Sequence, residues 1–192
     1  IDGLYRFLKE RGISFTETFH TQLGKSTFVH AKRRGRTAVY REAFEFLGAI
    51  WLRWCPCRAE ARLLSRDLPC TEFQEADRPF VRGLVEKLLF GVAASRFEIA
   101  WYRRVLKAIR PKMVLAIDDT RYYQELCAAA RAEHIPFYAF QHGHFTKYHA
   151  GWLASGVGRG RDTRPDALYL WSPYWKKELL RLGTNFSADE LR

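Results

Sequence analysis

The run MVLAIDD at residues 113–119 decides the fold of this chain. Its first five residues are continuously apolar, which is typical of a strand buried on both faces of a parallel sheet. Residues 122–133 then have helical spacing, with Leu126, Ala129 and Ala130 on one face. The apolar run PFYAF at 136–140 predicts the next strand. Together these elements predict a strand–helix–strand unit.

A third strand and a further helix follow this unit. Residues 141–164 contain five glycines and predict a long loop. The run ALYLW at 167–171 predicts a strand, and residues 173–182 predict a helix that Ser172 caps and Gly183 ends. Strands that alternate with helices predict an α/β fold, with a doubly wound parallel sheet flanked by helices and a βαβ core at 111–183.

The first 110 residues have a less regular, mainly helical pattern. The predicted elements are a short helix at 1–12, strands at 13–19 and 27–31, an aromatic helix at 37–54 that Pro56 ends, a short helix at 57–67 and a long helix at 79–109. Gly83 and Gly91 weaken the middle of the long helix. At the other end of the chain, SADELR at 187–192 predicts the start of another helix with Ser187 as its N-cap.

The chain carries 32 basic and 21 acidic residues, a net charge of +11. We therefore expect an anionic partner, and nucleic acid, anionic lipid and phosphorylated or acidic sugar meet that expectation equally. Hydrophobic residues make up 47% of the sequence, enough for a core, which argues against a disordered chain. The longest apolar stretch, 44–54, is interrupted by Glu45 and Arg53, so no membrane span is predicted.

The four cysteines indicate no disulfide framework. Only Pro56 separates Cys55 from Cys57, and this spacing is too short for an ordinary disulfide between them. Cys127 falls inside a helical pattern. This usage favours a reducing compartment and hence the cytoplasm. A zinc site would need Cys55, Cys57 and Cys70 with either His20 or His30; that spacing matches no common zinc pattern, and no metal is predicted.

Chemically active side chains follow each of the three predicted strands. Asp118 and Asp119 follow the first strand, QHGH at 141–144 follows the second, and Ser172 and Tyr174 follow the third. Ligands of an open parallel sheet bind outside the carboxyl ends of its strands. We therefore expect these side chains to line one site.

Each of these residue types suits a role in proton transfer or substrate binding. His142 is the candidate general base, because imidazole titrates near neutral pH; the alternative is a structural imidazole bonded to backbone. Asp118 or Asp119 can act as the base or orient a histidine, and the alternatives are helix capping and a metal-ligand pair. Gly143 is expected to allow a sharp turn and a close approach of the substrate.

Two basic segments leave their roles open. The loop SGVGRGR at 155–161 does not lead from a strand into a helix, so it fails the dinucleotide-binding fingerprint and is interpreted as a basic loop that closes over an anionic acceptor. The run KRRGR at 32–36 precedes the aromatic helix at 37–54. This combination suits the face of an anionic membrane, but aromatic packing in a core or against another domain is the favoured interpretation.

Three segments carry a family resemblance: RPKMVLAIDD at 110–119, AAARAEHIPFYAFQHG at 128–143 and PDALYLWSPYWKKELLRLG at 165–183. They resemble the N-terminal half of GT-B glycosyltransferases that build bacterial capsule, lipopolysaccharide and teichoic acid, including CDP-glycerol glycerophosphotransferases and Kdo transferases. The Gln141-His142-Gly143 motif is the most specific part. The resemblance implies transfer of a glycosyl or related group from a nucleotide-activated donor to a polysaccharide or lipid-linked acceptor.

The resemblance also implies a domain organisation. Residues 1–192 would form one Rossmann-like domain, half of a GT-B fold, with 111–183 as its core and 1–110 as a mainly helical portion. Because the chain begins with Ile1 rather than Met and ends inside a predicted helix, we expect an excised amino-terminal domain. The donor-binding C-terminal domain would then be absent, and the isolated fragment inactive.

The site residues and partners follow from the same resemblance. His142 matches the motif histidine of the active site, and Asp118 and Asp119 match a catalytic acid more loosely. The remaining acceptor-site residues would be Gln141, Gly143, His144, Lys147, Tyr148, His149, Ser172 and Tyr174. The implied partners are an anionic glycan or lipid-linked acceptor, the chain's own C-terminal domain and the inner membrane surface, with no cofactor besides the nucleotide-sugar substrate and no nucleic acid.

Three other functions remain open. A sugar-nucleotide 2-epimerase shares the architecture, needs no acceptor and is expected to be less basic. A nucleic-acid or polyanion-binding module would use the net charge and the aromatic residues among the arginines, although the arginines are spread over the whole chain. A non-catalytic scaffold domain would tolerate the loss of His142.

Overall fold

The fold is described from a computed structural model of the chain. The described residues are 2–19, 38–40, 47–48, 50–51, 53–54, 57–67, 72–117, 123–141, 143–144 and 163–192. The chain divides into two compact units, Ile1–Cys55 and Pro56–Arg192, which are described separately.

The first unit contains a helix and a pair of parallel strands. Helix α1 (Asp2–Glu10) ends before Gly12, which has a φ of 64° that glycine adopts without strain. Strand β1 (Glu17–Phe19) pairs in parallel with β2 (Ala38–Tyr40), so the strand predicted at 13–19 is confirmed over its last three residues. The strand predicted at 27–31 lies outside the described residues.

The aromatic helix predicted at 37–54 is wrong for residues 38–40 and confirmed for the described residues between 47 and 54. Residues 38–40 form β2, because the β-branched Val39 and the aromatic Tyr40 suit a strand and gain backbone hydrogen bonds from β1. Residues 47, 48, 50, 51, 53 and 54 are helical, as predicted.

The second unit opens with two helices, α2 (Cys57–Asp67) and α3 (Arg78–Ile109), both of which are confirmed predictions. Helix α3 has 32 residues and begins with Pro79 in its first turn. Gly83 and Gly91 do not interrupt it, because α2 and the helix after β3 pack along its length and offset a cost of about 1 kcal/mol for each glycine. The helix ends at Arg110, whose backbone is left-handed with a φ of 51°.

A three-stranded parallel sheet follows. Its elements in chain order are β3 (Val114–Ile117), α4 (Gln124–Ala132), β4 (Phe137–Phe140), β5 (Ala167–Tyr169) and α5 (Pro173–Leu182). The sheet order is β3-β4-β5, and Ile117, Phe140 and Tyr169 are aligned across it. The chain is therefore a mixed α/β protein, and each of these strands and helices lies within a segment predicted for it.

The core of this unit covers one face of the sheet. Ala116, Phe137, Ala139 and Leu168 share that face and are buried beneath α3, α4 and α5. Leu115 lies on the other face and is 46% exposed. The prediction that 113–117 is buried on both faces is thus wrong for β3, because the described helices that pack against it all contact the opposite face. None of the described helices is long and apolar enough to cross a bilayer.

The helix predicted at 187–192 is also wrong. Residues Ser187 and Glu190 close a turn in which the backbone N–H of Ser187 donates to Oε2 of Glu190 at 2.9 Å. Leu191 then pairs in parallel with Leu168, and its side chain is buried in the core. The Ser-x-x-Glu pattern of a capping box therefore closes an isolated turn here, since burial of Leu191 favours the extended backbone beside β5.

Candidate functional site

The candidate site lies where the three parallel strands end. Because Ile117, Phe140 and Tyr169 are aligned, the residues that follow them emerge at one edge of the sheet, which we call the carboxyl edge. Its described residues are Gln141, Gly143, His144 and the segment 171–175. This is the edge at which parallel sheets bind ligands, and it was predicted from the order of the strands.

Gln141 holds the ends of β4 and β5 together. Its side chain is buried and makes two hydrogen bonds: Nε2 donates to the carbonyl oxygen of Gly143 at 2.8 Å, and Oε1 accepts from the backbone N–H of Trp171 at 2.9 Å. Its own backbone N–H donates to the carbonyl oxygen of Tyr169 at 2.8 Å. The Gln141 side chain therefore ties the backbone at Gly143 to the backbone at Trp171.

Trp171 is fixed in place and still exposed. Its indole Nε1–H donates to the carbonyl oxygen of Gln141 at 2.9 Å, and its backbone N–H is held by the Gln141 side chain. Even so, 55% of the residue is accessible to solvent. Both N–H groups are satisfied inside the protein, so the exposed part is largely the carbon surface of the ring.

His144 lies against two tryptophans. Its ring centroid is 5.5 Å from that of Trp171, with the planes nearly perpendicular at 83°, and 5.4 Å from that of Trp175. The histidine is itself exposed. An exposed imidazole beside two indoles can donate or accept a hydrogen bond to a ligand lying on the aromatic surface.

Ser172 and Tyr174 stand at the start of α5. Ser172 occupies the N-cap position, as predicted, but its side chain makes no capping hydrogen bond. Tyr174 is 63% exposed, and its ring centroid is 5.2 Å from that of Trp175. Both side chains therefore offer hydroxyl groups near the carboxyl edge.

Gly143 is not required by the local backbone. Positive φ among the described glycines occurs at Gly12 and Gly183, and a Cβ placed on Gly143 would meet no atom within 4 Å. The backbone bends at Gly143, as predicted, but without the left-handed φ that glycine adopts most readily. What remains is open space in which a ligand can approach the backbone.

Several predicted site residues lie outside the described part of the chain. These are Asp118, Asp119, His142, Lys147, Tyr148 and His149, together with the basic loop at 155–161. The same holds for Cys55, Cys70, His20 and His30 of the zinc set that was considered. Within the described ranges, no group of three His, Cys, Asp or Glu side chains is arranged to hold a metal ion.

The opposite edge of the sheet is closed by internal contacts. Asp166 accepts the backbone N–H of Phe137 at 2.9 Å and pairs with Arg131 at 3.0 Å. Arg164 pairs with Glu190 at 2.8 Å. These charged groups pair with one another, whereas the carboxyl edge presents aromatic and polar side chains to solvent.

Sequence reasoning missed the two tryptophans of this site. Trp171 was assigned to a strand and Trp175 to a helix, and neither was named as a site residue. The signal was available, since two tryptophans flank the start of a helix that directly follows a parallel strand, at the edge where ligands bind.

Comparison with known proteins gives no family for this chain. No family model matches it, and no curated protein and no solved structure matches it either. Its function has to be inferred from its own residues.

Proposed function

We propose that this chain is the acceptor-side domain of a glycosyltransferase that builds a bacterial surface polysaccharide, with the Rossmann-like fold of half a GT-B enzyme. The observation that carries the proposal is the carboxyl edge, where three parallel strands end together and present His144, Ser172 and Tyr174 around an exposed tryptophan. The QHG motif of the family resemblance falls at this edge. The sequence resemblance and the order of the strands thus support the same location for the proposed site.

The described contacts suit the positioning that such a reaction needs. The amide of Gln141 holds the backbone at Gly143 on one side and at Trp171 on the other. His142 lies between Gln141 and Gly143 in the sequence, so both of its neighbours are fixed. A general base must stay within hydrogen-bond reach of the proton that it removes, and a fixed backbone supports this.

CDP-glycerol would donate glycerol phosphate through attack of the acceptor hydroxyl on phosphorus with loss of CMP, whereas a nucleotide sugar reacts by displacement at the anomeric carbon. The acceptor hydroxyl oxygen forms a bond to that carbon, and the bond from the carbon to the nucleotide's phosphate oxygen breaks. The nucleotide leaves with the bonding electron pair, and the hydroxyl proton passes to His142 as general base. Asp118 and Asp119 are the second choice for this role. No cofactor enters the balance.

The donor is assigned to a separate C-terminal domain. In this proposal the nucleotide sugar is a substrate that the C-terminal domain binds, while the chain described here contributes the acceptor side. The acceptor is an anionic glycan or a lipid-linked saccharide at the inner face of the cytoplasmic membrane. The net charge of +11 supports an anionic acceptor or membrane.

Helix α3 offers a surface that supports a membrane-associated acceptor. Four apolar residues follow one another at a spacing of four along its first half and are all exposed: Phe80, Leu84, Leu88 and Val92. At 3.6 residues per turn they lie on the same side of the helix as Tyr102 and Leu106, which are buried in the core. The second half of this apolar stripe is thus covered by the sheet and α4, and the first half is open.

Lys87 lies beside this open stripe on α3, and α2 and the first half of α3 carry more basic than acidic residues. Residues 57–67 and 78–96 together contain seven Lys or Arg and three Asp or Glu. A cleft between α2 and α3, on the side of α3 turned away from the stripe, is lined by Arg62, Arg66, Arg82 and Glu86, and Arg62 pairs with Glu86 at 3.0 Å. Exposed apolar side chains flanked by basic ones suit the surface of an anionic bilayer.

Vesicle binding tests the membrane part of the proposal. The full-length protein should sediment with phosphatidylglycerol vesicles and not with phosphatidylcholine vesicles, and Leu84→Glu with Leu88→Glu should weaken the binding. Leu180→Glu, on an exposed position of α5, is the matched control. Equal binding of the double variant and the control would exclude the α3 stripe as the contact.

Product analysis tests the transferase part and separates it from the alternatives. The full-length protein is incubated with nucleotide sugars or CDP-glycerol and a saccharide acceptor, and the acceptor is weighed by mass spectrometry. A gain of one glycosyl or glycerol-phosphate unit is the expected result. Conversion of the nucleotide sugar into an isomer without any acceptor would favour the epimerase, and no conversion of any donor would favour a binding or scaffold domain.

A further inference from the structure

Trp171 has the properties of a preorganised aromatic surface. Two hydrogen bonds to Gln141, one from the indole N–H and one from the backbone N–H, fix both the position and the rotation of the ring. The side chain thus has little rotational freedom left to lose when a ligand binds, which removes one of the usual costs of association.

Covering the exposed ring would gain free energy. An indole is one of the largest apolar groups in proteins, and its burial is worth about 25 cal/mol per Å² of apolar surface. The protein holds it 55% exposed at the edge where parallel sheets bind ligands, and Tyr174 beside α5 is 63% exposed. The two rings are connected through ring contacts with His144 and Trp175, so a ligand lying on this aromatic cluster would cover apolar surface at the edge.

The two segments that carry these rings contain no charged side chain, and Arg181, further along α5, interacts electrostatically with Tyr174. Residues 140–144 and 169–175 read FQHGH and YLWSPYW and contain no Lys, Arg, Asp or Glu, in a chain with a net charge of +11. A nucleotide would bring phosphate groups, which need cationic partners or several N–H donors. The described part of this edge suits a neutral ligand that stacks on rings and bonds to hydroxyl and imidazole groups.

A pyranose ring fits this description. One face of many pyranoses presents C–H groups, which are attracted to the negative face of an aromatic ring, while the hydroxyls point outward around the rim. The hydroxyl of Ser172 and the imidazole of His144 can bond to such hydroxyls. We therefore propose that Trp171, with Tyr174 as a second ring, is the surface on which a pyranose unit of the acceptor stacks; naming it the acceptor rests on the proposed function.

Nuclear magnetic resonance of the full-length protein tests direct binding without requiring turnover. The indole N–H signal of Trp171 is assigned as the one missing from the Trp171→Phe spectrum. The probes are short oligosaccharides of hexoses, N-acetylhexosamines and uronic acids, with CMP and UMP as nucleotide probes. At least one oligosaccharide is expected to shift the Trp171 signal, and neither nucleotide is.

Affinity measurements on variants complete the test. Trp171→Ala should weaken binding of that oligosaccharide about tenfold, the scale of one lost aromatic contact. Tyr174→Ala should weaken it as well, and this variant keeps both Gln141–Trp171 bonds, so it guards against a loss caused by misfolding. Trp54→Ala removes another exposed indole, in the first unit, and should leave the affinity unchanged.

The outcomes separate this inference from the proposed function. A Trp171 signal that no oligosaccharide shifts, or that only a nucleotide shifts, overturns the inference. If the oligosaccharide binds at Trp171 and no donor is ever transferred, the sugar site stands and the transferase proposal fails. If transfer occurs and Trp171→Ala leaves the KM for the acceptor unchanged, the transferase proposal stands and the stacking surface fails.

Discussion

Gln141 and Trp171 are joined by two hydrogen bonds across the carboxyl edge, although 30 residues separate them in the sequence. The backbone N–H of Trp171 donates to the Gln141 side chain, and the indole N–H donates to the Gln141 carbonyl oxygen. This pair fixes the ends of β4 and β5 to each other, because the two residues follow those strands. The first residue of the Gln141-His142-Gly143 segment is thereby tied to an exposed aromatic ring.

Gln141→Ala should destabilise the protein by about 1–3 kcal/mol, because it leaves the backbone N–H of Trp171 and the carbonyl of Gly143 without their partner. Chemical denaturation measures the free energy of unfolding. Gln74→Ala, at an exposed position, is the matched control and should change this free energy by less than about 0.5 kcal/mol. Equal effects of the two substitutions would show that the Gln141 bonds do not hold the edge together.

Gly143→Ala should leave the unfolding free energy within about 0.5 kcal/mol of the wild type, since an added Cβ meets no neighbouring atom. If the acceptor approaches the backbone here, the methyl group will collide with it and the KM for the acceptor will rise. Steady-state kinetics with the acceptor as the varied substrate measures this. An unchanged KM would show that the acceptor stays away from residue 143.

Leu179→Ala should cost about 2–5 kcal/mol, because Leu179 is fully buried on α5 beside Leu168 and Ala139. Thermal or chemical unfolding reports the loss. Its neighbour Leu180 is 43% exposed, so Leu180→Ala provides a control on the same helix with a much smaller expected cost. A larger loss for Leu180 than for Leu179 would contradict the packing of α5 against the sheet.

Glu133 should make stability depend on pH. Its pKa is lowered from the ordinary value of 4.5, chiefly by the hydrogen bond from Arg103, and Lys107 adds to the effect. A lowered pKa means that the ion pair stabilises the folded state above the unfolded pKa, and that this contribution is lost as the pH falls through the folded pKa.

The matching measurement is the unfolding free energy of Glu133→Gln and wild type as a function of pH. The variant should be less stable at pH 7, and the difference should shrink as the pH drops below 4.5. Glu75→Gln, at an exposed position, serves as the control with little expected change. A difference that grows towards acid pH would contradict the assigned ion pair.

Local sequence signals predicted much of the second unit. Pro173 and Gly183 gave both ends of α5, because proline suits the first turn of a helix and Gly183 adopts a φ of 83°. The apolar runs around Leu115 and Ala139 predicted β3 and β4. The residues that begin and end these elements lie within or next to them in the sequence. The elements could therefore be predicted without knowledge of long-range contacts.

Elements that depend on distant contacts were not predictable in the same way. Residues 38–40 read as helix and are a strand because β1 pairs with them, and Leu191 is extended because it pairs with Leu168. The exposure of Leu115 depends on which face of the sheet the helices pack against. Strand order predicted that the described candidate residues lie at one edge of the sheet, whereas the fixing of Trp171 by Gln141 could not be seen in the sequence.

The most direct test of the central claim is the rate of nucleotide release by the full-length protein, with and without a saccharide or lipid-linked acceptor, in the wild type and His142→Ala. Asp166→Ala, at the opposite edge of the sheet, is the control for a general loss of structure. We predict release that requires the acceptor, that falls by at least about 100-fold in His142→Ala, as expected when a general base is removed, and that largely survives in Asp166→Ala. Acceptor-dependent release that is as fast in His142→Ala as in the wild type, or no release from any donor, would contradict the claim.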